Sequence, residues 1–165
     1  MRQIIFILLL LFLVSCSARE LETNSYTPLT IDDLLKKPMD IPLKMEAFDS
    51  AYKKFKPKVF IRTLSSTQRK DTIYRYYRKS TSFIFYRTVD EKTFFLTARI
   101  RDDLIALRNN IRIGQNEELL SRKIIEFPEV VNDTVRLRNE KRQLIFVFDQ
   151  SELKEITINN YYKKE

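Results

Sequence analysis

From Lys58 almost to its end, the chain alternates apolar and polar residues with a period of two, and short polar stretches interrupt the alternation. That pattern is the signature of strands with one face buried, and connections this short join antiparallel neighbours. Residues 59–64, 72–78, 82–88 and 93–101 read as strands rich in β-branched and aromatic side chains. In the last of them Phe94, Leu96, Ala98 and Ile100 share one face, and Phe95, Thr97, Arg99 and Arg101 the other. Arg78-Lys79-Ser80-Thr81 and Val89-Asp90-Glu91-Lys92 are suited to hairpin connections. Residues 104–107 read as a further short strand, turning at Asn109-Asn110 into 111–113. Three more strands are expected at 134–138, 143–148 and 153–161, joined closely enough for a meander. Val135 and Leu137 oppose Arg136 and Arg138, whereas Leu144-Ile145-Phe146-Val147-Phe148 is apolar on both faces and reads as a central strand.

Helical signals are confined to three places. Thr30-Ile31-Asp32-Asp33 fits a capping box ahead of Leu34 and Leu35, and Pro38 ends the run. Met45, Phe48, Tyr52 and Phe55 form one stripe of a second helix over residues 45–55. Gly114, the only glycine in the chain, sits where an alternating segment gives way to a helix that Asn116 caps and Glu117-Glu118 open. A glycine at such a joint supplies positive φ. The expected fold is therefore α+β: an antiparallel β-sheet meander with two N-terminal helices and one helix inserted after Gly114, all in a single domain over residues 30–165.

Composition removes most catalytic chemistry. The chain has no histidine, one cysteine and one glycine. This excludes Ser-His-Asp and Cys-His catalysis, histidine-ligated metals, thiolate clusters, an intrachain disulfide and a glycine-rich phosphate loop. Adjacent carboxylates at Asp102-Asp103 and Glu117-Glu118 do not supply a facing pair, because neighbouring side chains on a strand point to opposite faces. Asp32 and Asp33 in a first helical turn serve the helix dipole rather than a metal. The expectation is a non-catalytic protein with no cofactor and no metal.

The N-terminus supplies the compartment. Residues 4–14 are an unbroken apolar run, too short to span a bilayer, for which about 20 residues are needed, but right for a signal peptide. The run ends Leu13-Val14-Ser15-Cys16, which resembles the lipobox of bacterial lipoproteins. The resemblance implies cleavage between Ser15 and Cys16, a diacylglycerol thioether on the Cys16 sulfur and an acylated new N-terminus. Residues 1–15 are then a lipoprotein signal peptide and 16–29 a lipidated polar tether, with the membrane as a partner through the lipid anchor. Ser17 in place of Asp implies the outer membrane of the cell envelope and leaves the leaflet open. Two acyl chains would anchor a protein stably, since each buried CH₂ contributes about 0.8 kcal/mol.

A second resemblance rests on Ile111-Arg112-Ile113-Gly114, the acidic helix start at Glu117-Glu118, and the strands around Leu144-Ile145-Phe146-Val147-Phe148-Asp149 and Ile156-Thr157-Ile158. This last third of the chain resembles the BamE/OmlA-type lipoprotein module, which shares the β-lactamase-inhibitor-protein fold. It departs from that pattern at Gln115-Asn116, where Met-Ser/Thr is usual.

The formal net charge is +8, or +7 once Arg2 leaves with the leader. Between Lys53 and Arg87 basic residues alternate with aromatic ones, and Arg75, Arg78, Lys79 and Arg87 are the candidate basic binding patch. Such a sheet suits an envelope protein partner or an anionic ligand. Single-stranded nucleic acid, which basic-aromatic sheets also bind, is not expected to meet a lipoprotein. The alternative to any binding role is a solvated face whose Arg and Lys stems cover the core. The sequence thus leads to a lipid-anchored envelope lipoprotein acting as a protein-interaction or envelope-assembly scaffold. The alternative function is an inhibitor or ligand-binding module for an exogenous enzyme, a glycan or an anionic lipid.

Overall fold

The structure, a computed structural model, describes residues 27–63 and 70–162. The expected signal peptide with Ser15, Cys16, and the expected tether up to residue 26 lie outside the described residues. Two short helices, α1 (Ile31–Lys36) and α2 (Met45–Ala51), precede four strands: β1 (Lys56–Thr63), β2 (Lys70–Arg78), β3 (Thr81–Arg87) and β4 (Thr93–Ile100). A 3₁₀ turn (Arg108–Asn110) and helix α3 (Glu117–Lys123) follow, and then β5 (Thr134–Arg138), β6 (Arg142–Asp149) and β7 (Glu152–Asn160). The seven strands form one sheet in the order β1-β2-β3-β4-β7-β6-β5, with every pairing antiparallel. Two meanders, β1–β4 and β5–β7, are joined through β4 and β7. The fold is α+β, as the alternation implied.

Local chemistry explains the element boundaries. The Thr30 hydroxyl accepts from the Asp33 N–H at 3.1 Å and donates to the Asp33 carboxylate at 2.8 Å, closing the cap of α1. Asn116 Oδ1 accepts from the Leu119 N–H at 2.9 Å at the start of α3. Helix α2 ends at Ala51, four residues before the expected end at Phe55. Pro57 disfavours helix at Lys56, and residues 52–55 before it form a turn in which the Phe55 N–H donates to the Tyr52 carbonyl at 2.9 Å. Tyr52 and Phe55 nevertheless keep their stripe, with Phe55 buried. Leu29 is buried and forms a parallel bridge with Ile124.

Residues 104–107 are not a strand. Leu107 and Ile111 make one isolated bridge around the 3₁₀ turn, with Asn109 and Asn110 both at positive φ. Ile105, Leu107 and Ile111 are buried there as a loop plug rather than as a ladder. With one glycine available, the chain turns on other residues that tolerate positive φ. The pairs Asn132-Asp133 and Gln150-Ser151 supply it at both central positions, as tight hairpins require. Gly114 itself lies at φ +90°.

One face of the sheet is covered. The cross-strand row Tyr76, Phe83, Ala98, Ile158, Leu144, Leu137 runs through six strands and is buried throughout. Phe48 of α2 packs on it, with ring centroids 4.5 Å from Phe83 and 5.2 Å from Tyr76. Helix α1 is tied down at its C-terminus by Arg142 of β6, whose guanidinium donates to the Leu35 carbonyl at 2.8 Å and to that of Lys36 at 3.2 Å. Leu34, Leu35 and Leu120 carry the other helix faces into the same core. Strand β6 is paired on both sides but stands next to the edge, and only one of its faces is fully buried. Ile145 and Val147 on its other face are half-buried, so the apolar run does not mark the centre of the sheet.

Candidate functional site

The opposite face of the sheet carries no described helix, and its make-up follows from strand parity. One row reads Lys58, Arg75, Ile84, Thr97, Asn159, Gln143, Arg138 across all seven strands. The next reads Lys56, Tyr77, Ser82, Arg99, Thr157, Ile145, Arg136. Towards the other end of β1 lies an apolar row of Phe60, Ile73, Tyr86 and Phe94. Among the described side chains seven basic residues therefore share this face: Lys56, Lys58, Arg75, Arg99, Arg101, Arg136 and Arg138, all exposed. Among the described residues of the same parity the carboxylates are Asp71, which is buried, Glu155, and the pair Asp149 and Glu152 at the β6–β7 turn, where Glu152 is bound by Lys154 at 2.6 Å.

The charges are not spread evenly. Glu155 binds two of the arginines, Arg99 at 2.9 Å and Arg101 at 2.7 Å, and accepts from the Thr157 hydroxyl at 3.1 Å. Burial opposes its ionisation, but these bonds together outweigh burial and hold its carboxyl below the usual range. Glu155 thereby offsets one of the two central charges and engages both guanidinium groups, and the Thr97 hydroxyl donates to Asn159 Oδ1 at 2.8 Å beside it. What remains is two basic flanks: Lys56, Lys58 and Arg75 on β1 and β2, and Arg136 and Arg138 on β5. Five strand spacings, about 24 Å, separate β2 from β5. Aromatic rings line both flanks, with Lys58 Nζ 5.2 Å from the Phe60 ring centre and the Arg138 guanidinium 5.2 Å from that of Tyr161.

The four patch residues expected from the sequence do not come together. Arg75 lies on the open face and Lys79 in the exposed β2–β3 turn. Arg78 has the opposite parity and binds Asp102 at 3.2 Å. Arg87 is opposite Thr72 at the far end of β3, about 20 Å along the strand from the turn. There it lies against the Tyr74 hydroxyl with Glu91 at 3.9 Å. Arg136 and Arg138 belong to the open face instead. Their parity was visible in the alternation with Val135 and Leu137, but their place on the same surface as Arg75 depends on β7 returning to β4.

The other polar candidates are engaged locally. Asp102 accepts from Arg78 and from the Leu104 N–H. A depression of about 390 Å³ opens beside α3, lined by Asn116, Glu117, Glu118, Ser121 and Ser151. Its Asn116 caps the helix and its Ser121 hydroxyl donates to the Glu118 carbonyl. Lys123 is buried, and its Nζ donates to the Asn110 carbonyl at 2.9 Å and to Gln115 Oε1 at 3.3 Å. Burial, with Arg112 nearby, pushes its pKa down. Among the described residues no group of three or more Asp, Glu, Cys or His side chains is placed to hold a metal ion, and no helix is long and apolar enough to cross a membrane. Comparison with protein families, curated proteins and solved structures finds no match to this chain.

Proposed function

We propose that this chain is a non-catalytic lipoprotein of a bacterial envelope, anchored through Cys16, whose open basic sheet face holds an acidic protein partner. The observation that carries the binding role is the contrast between the two faces. One is covered by helices, and the other displays two basic, aromatic-lined flanks around a centre whose two arginines are held by Glu155. The sequence Leu13-Val14-Ser15-Cys16 supports the anchor, and a domain anchored there would meet other envelope proteins. A resident scaffold of this kind needs a preformed surface rather than a cleft, and electrostatic complementarity gives it fast, selective encounter.

Two experiments test the parts separately. Cells fed an alkyne fatty acid should label the wild type and not Cys16→Ala, and the variant should leave the membrane fraction. Equal labelling would remove the anchor. For the face, the protein is isolated from detergent-solubilised envelopes as wild type and with Lys58, Arg75, Arg136 and Arg138 each replaced by Glu. A stoichiometric partner present with the wild type and lost from the variant is the expected result; one retained by the variant excludes this face. The same flanks are complementary to anionic headgroups, so the two proteins are also compared on anionic and neutral vesicles at low and high salt. Binding to anionic vesicles that is lost in the variant and at high salt, with no protein partner recovered, would favour the ligand-binding alternative.

A further inference from the structure

The two edges of the sheet are unlike. Strand β5 is five residues long and alternates buried Val135 and Leu137 with exposed arginines. Strand β1 is eight residues long, and residues 56–61 are exposed on both faces although Val59-Phe60-Ile61 is continuously apolar. Val59 is 50% exposed, Phe60 43% and Ile61 67%. None of the described side chains of β1, residues 56–61, enters the core, and among the described residues its one strand partner is β2. Beyond Pro57, which cannot donate, the strand offers an unpaired run of backbone N–H and C=O groups beside three apolar side chains. Proteins ordinarily blunt such an edge, because it is a template for another strand.

We infer that β1 is a docking edge for an extended segment of a partner protein in which acidic and apolar residues alternate. Charge complementarity selects this occupant. On the open face the incoming strand would lie beside Lys56 and Lys58, with Arg75 one strand further in. Among the described β1 side chains none is acidic. On the helix side the segment would lie beside Val59 and Ile61, which call for apolar partners. A second copy of this chain fits less well, because it would bring a second set of Lys56, Lys58 and Arg75 onto the same face. Main-chain bonds would supply affinity and the alternating side chains the choice of partner. The inference rests on the protein-partner reading and is independent of the lipid anchor.

The test uses the purified full-length protein in detergent with three labelled eight-residue peptides: alternating Glu and Val, alternating Lys and Val, and the acidic peptide with proline at two central positions. Only the first should bind at low salt, and it should slow hydrogen exchange at the amides of residues 58–61. Replacing Val59 and Ile61 by Lys should weaken binding about tenfold while leaving the circular dichroism and the rest of the exchange pattern unchanged, since both side chains are exposed. Equal binding of the proline peptide, or binding without protection of β1, would assign the attraction to the charged face and overturn the docking edge. Absence of binding at low salt would overturn it too, even where the four-site Glu variant still releases a resident partner, so the two readings fail separately. A dimer by sedimentation that disappears on replacing Val59 and Ile61 would make a second copy the occupant and equally overturn the inference.

Discussion

Replacing Gly114 isolates a backbone requirement from a packing one. Its φ is +90°, and a Cβ added there would have Glu152 Oε1 as its nearest contact, at an ordinary 3.9 Å. Space is therefore available, and the cost must come from conformation. The residue is also fixed by its neighbours: the Gly114 N–H donates to the Leu153 carbonyl and the Leu153 N–H to that of Gln115, both at 2.8 Å. Relaxing φ would pull at the junction that positions α3 against β7. An L-residue in left-handed space costs roughly 1–2 kcal/mol. Alanine recovers about 0.4–1 kcal/mol by restricting the unfolded chain, so Gly114→Ala should lose about 1 kcal/mol. Gly114→Val, β-branched and stiffer, should lose about 2–3 kcal/mol. Gly114→Asn, which visits this region more readily, should lose under about 0.5 kcal/mol. Urea unfolding of the four proteins measures the series, and each kcal/mol corresponds to about 3 °C in Tm for a chain of this size. The decisive feature is the order Asn, Ala, Val. If Asn is as damaging as Val, bulk rather than φ is limiting; if all three equal the wild type, the joint is not strained and the reasoning fails.

Three further outcomes follow from the core and its buried charges. Phe48 packs on five rings with centroids 4.5 to 5.6 Å away, so Phe48→Ala should cost about 3–5 kcal/mol in urea titration, against under 0.5 kcal/mol for a solvent-facing change such as Glu46→Ala. Glu155 has a depressed pKa in the fold, so its contribution is complete above its ordinary value of 4.5 and is lost as pH falls through the lower folded value. Wild type should therefore lose more stability between pH 5 and acid than Glu155→Gln, and parallel pH profiles would contradict this. Lys123 is depressed from 10.5 chiefly by burial, so the fold disfavours its charge and stability should rise with pH as the folded value is passed. Lys123→Met should remove that rise while staying within about 1 kcal/mol at pH 7, because the Asn110 carbonyl keeps its bond from Gln115 Nε2; a wild-type profile that rises no more than that of the variant on approaching pH 10.5 would refute it.

Local signals made much of the fold legible. The Thr30 and Asn116 caps, the hairpin at Lys79-Ser80 and the positive φ at Gly114 each depend on a few neighbouring residues, and all are found where the sequence places them. Sheet order is a different matter. Thr97 meets Asn159 across 62 residues, and no short pattern encodes that β7 returns to β4 rather than to an edge. The apolar run of β6 was therefore read as central, although pairing on both sides beside β5 suffices to explain it. The binding patch was grouped by nearness in the chain, and parity divides it. Arg75 and Arg78 are three residues apart and so on opposite faces, while Arg75 and Arg138 are joined by a row across the whole sheet.

The open face also explains how one layer of strands can stand with no second layer of helices over it among the described residues. Phe60, Ile73, Tyr86 and Phe94 shield one another along their row, and the Phe94 ring adds Tyr162 at 5.3 Å. Elsewhere the face is closed by polar contacts, the Thr97–Asn159 bond and the Glu155 cluster, which satisfy each other without exposing a large apolar area. A surface held in this way is already ordered before a partner arrives, so little conformational entropy is lost on docking. The division of labour then follows from geometry. In the proposed complex, separated basic flanks would attract from a distance and give salt-dependent association, whereas the edge backbone of β1 would demand a strand in register and supply the selectivity that charge alone lacks.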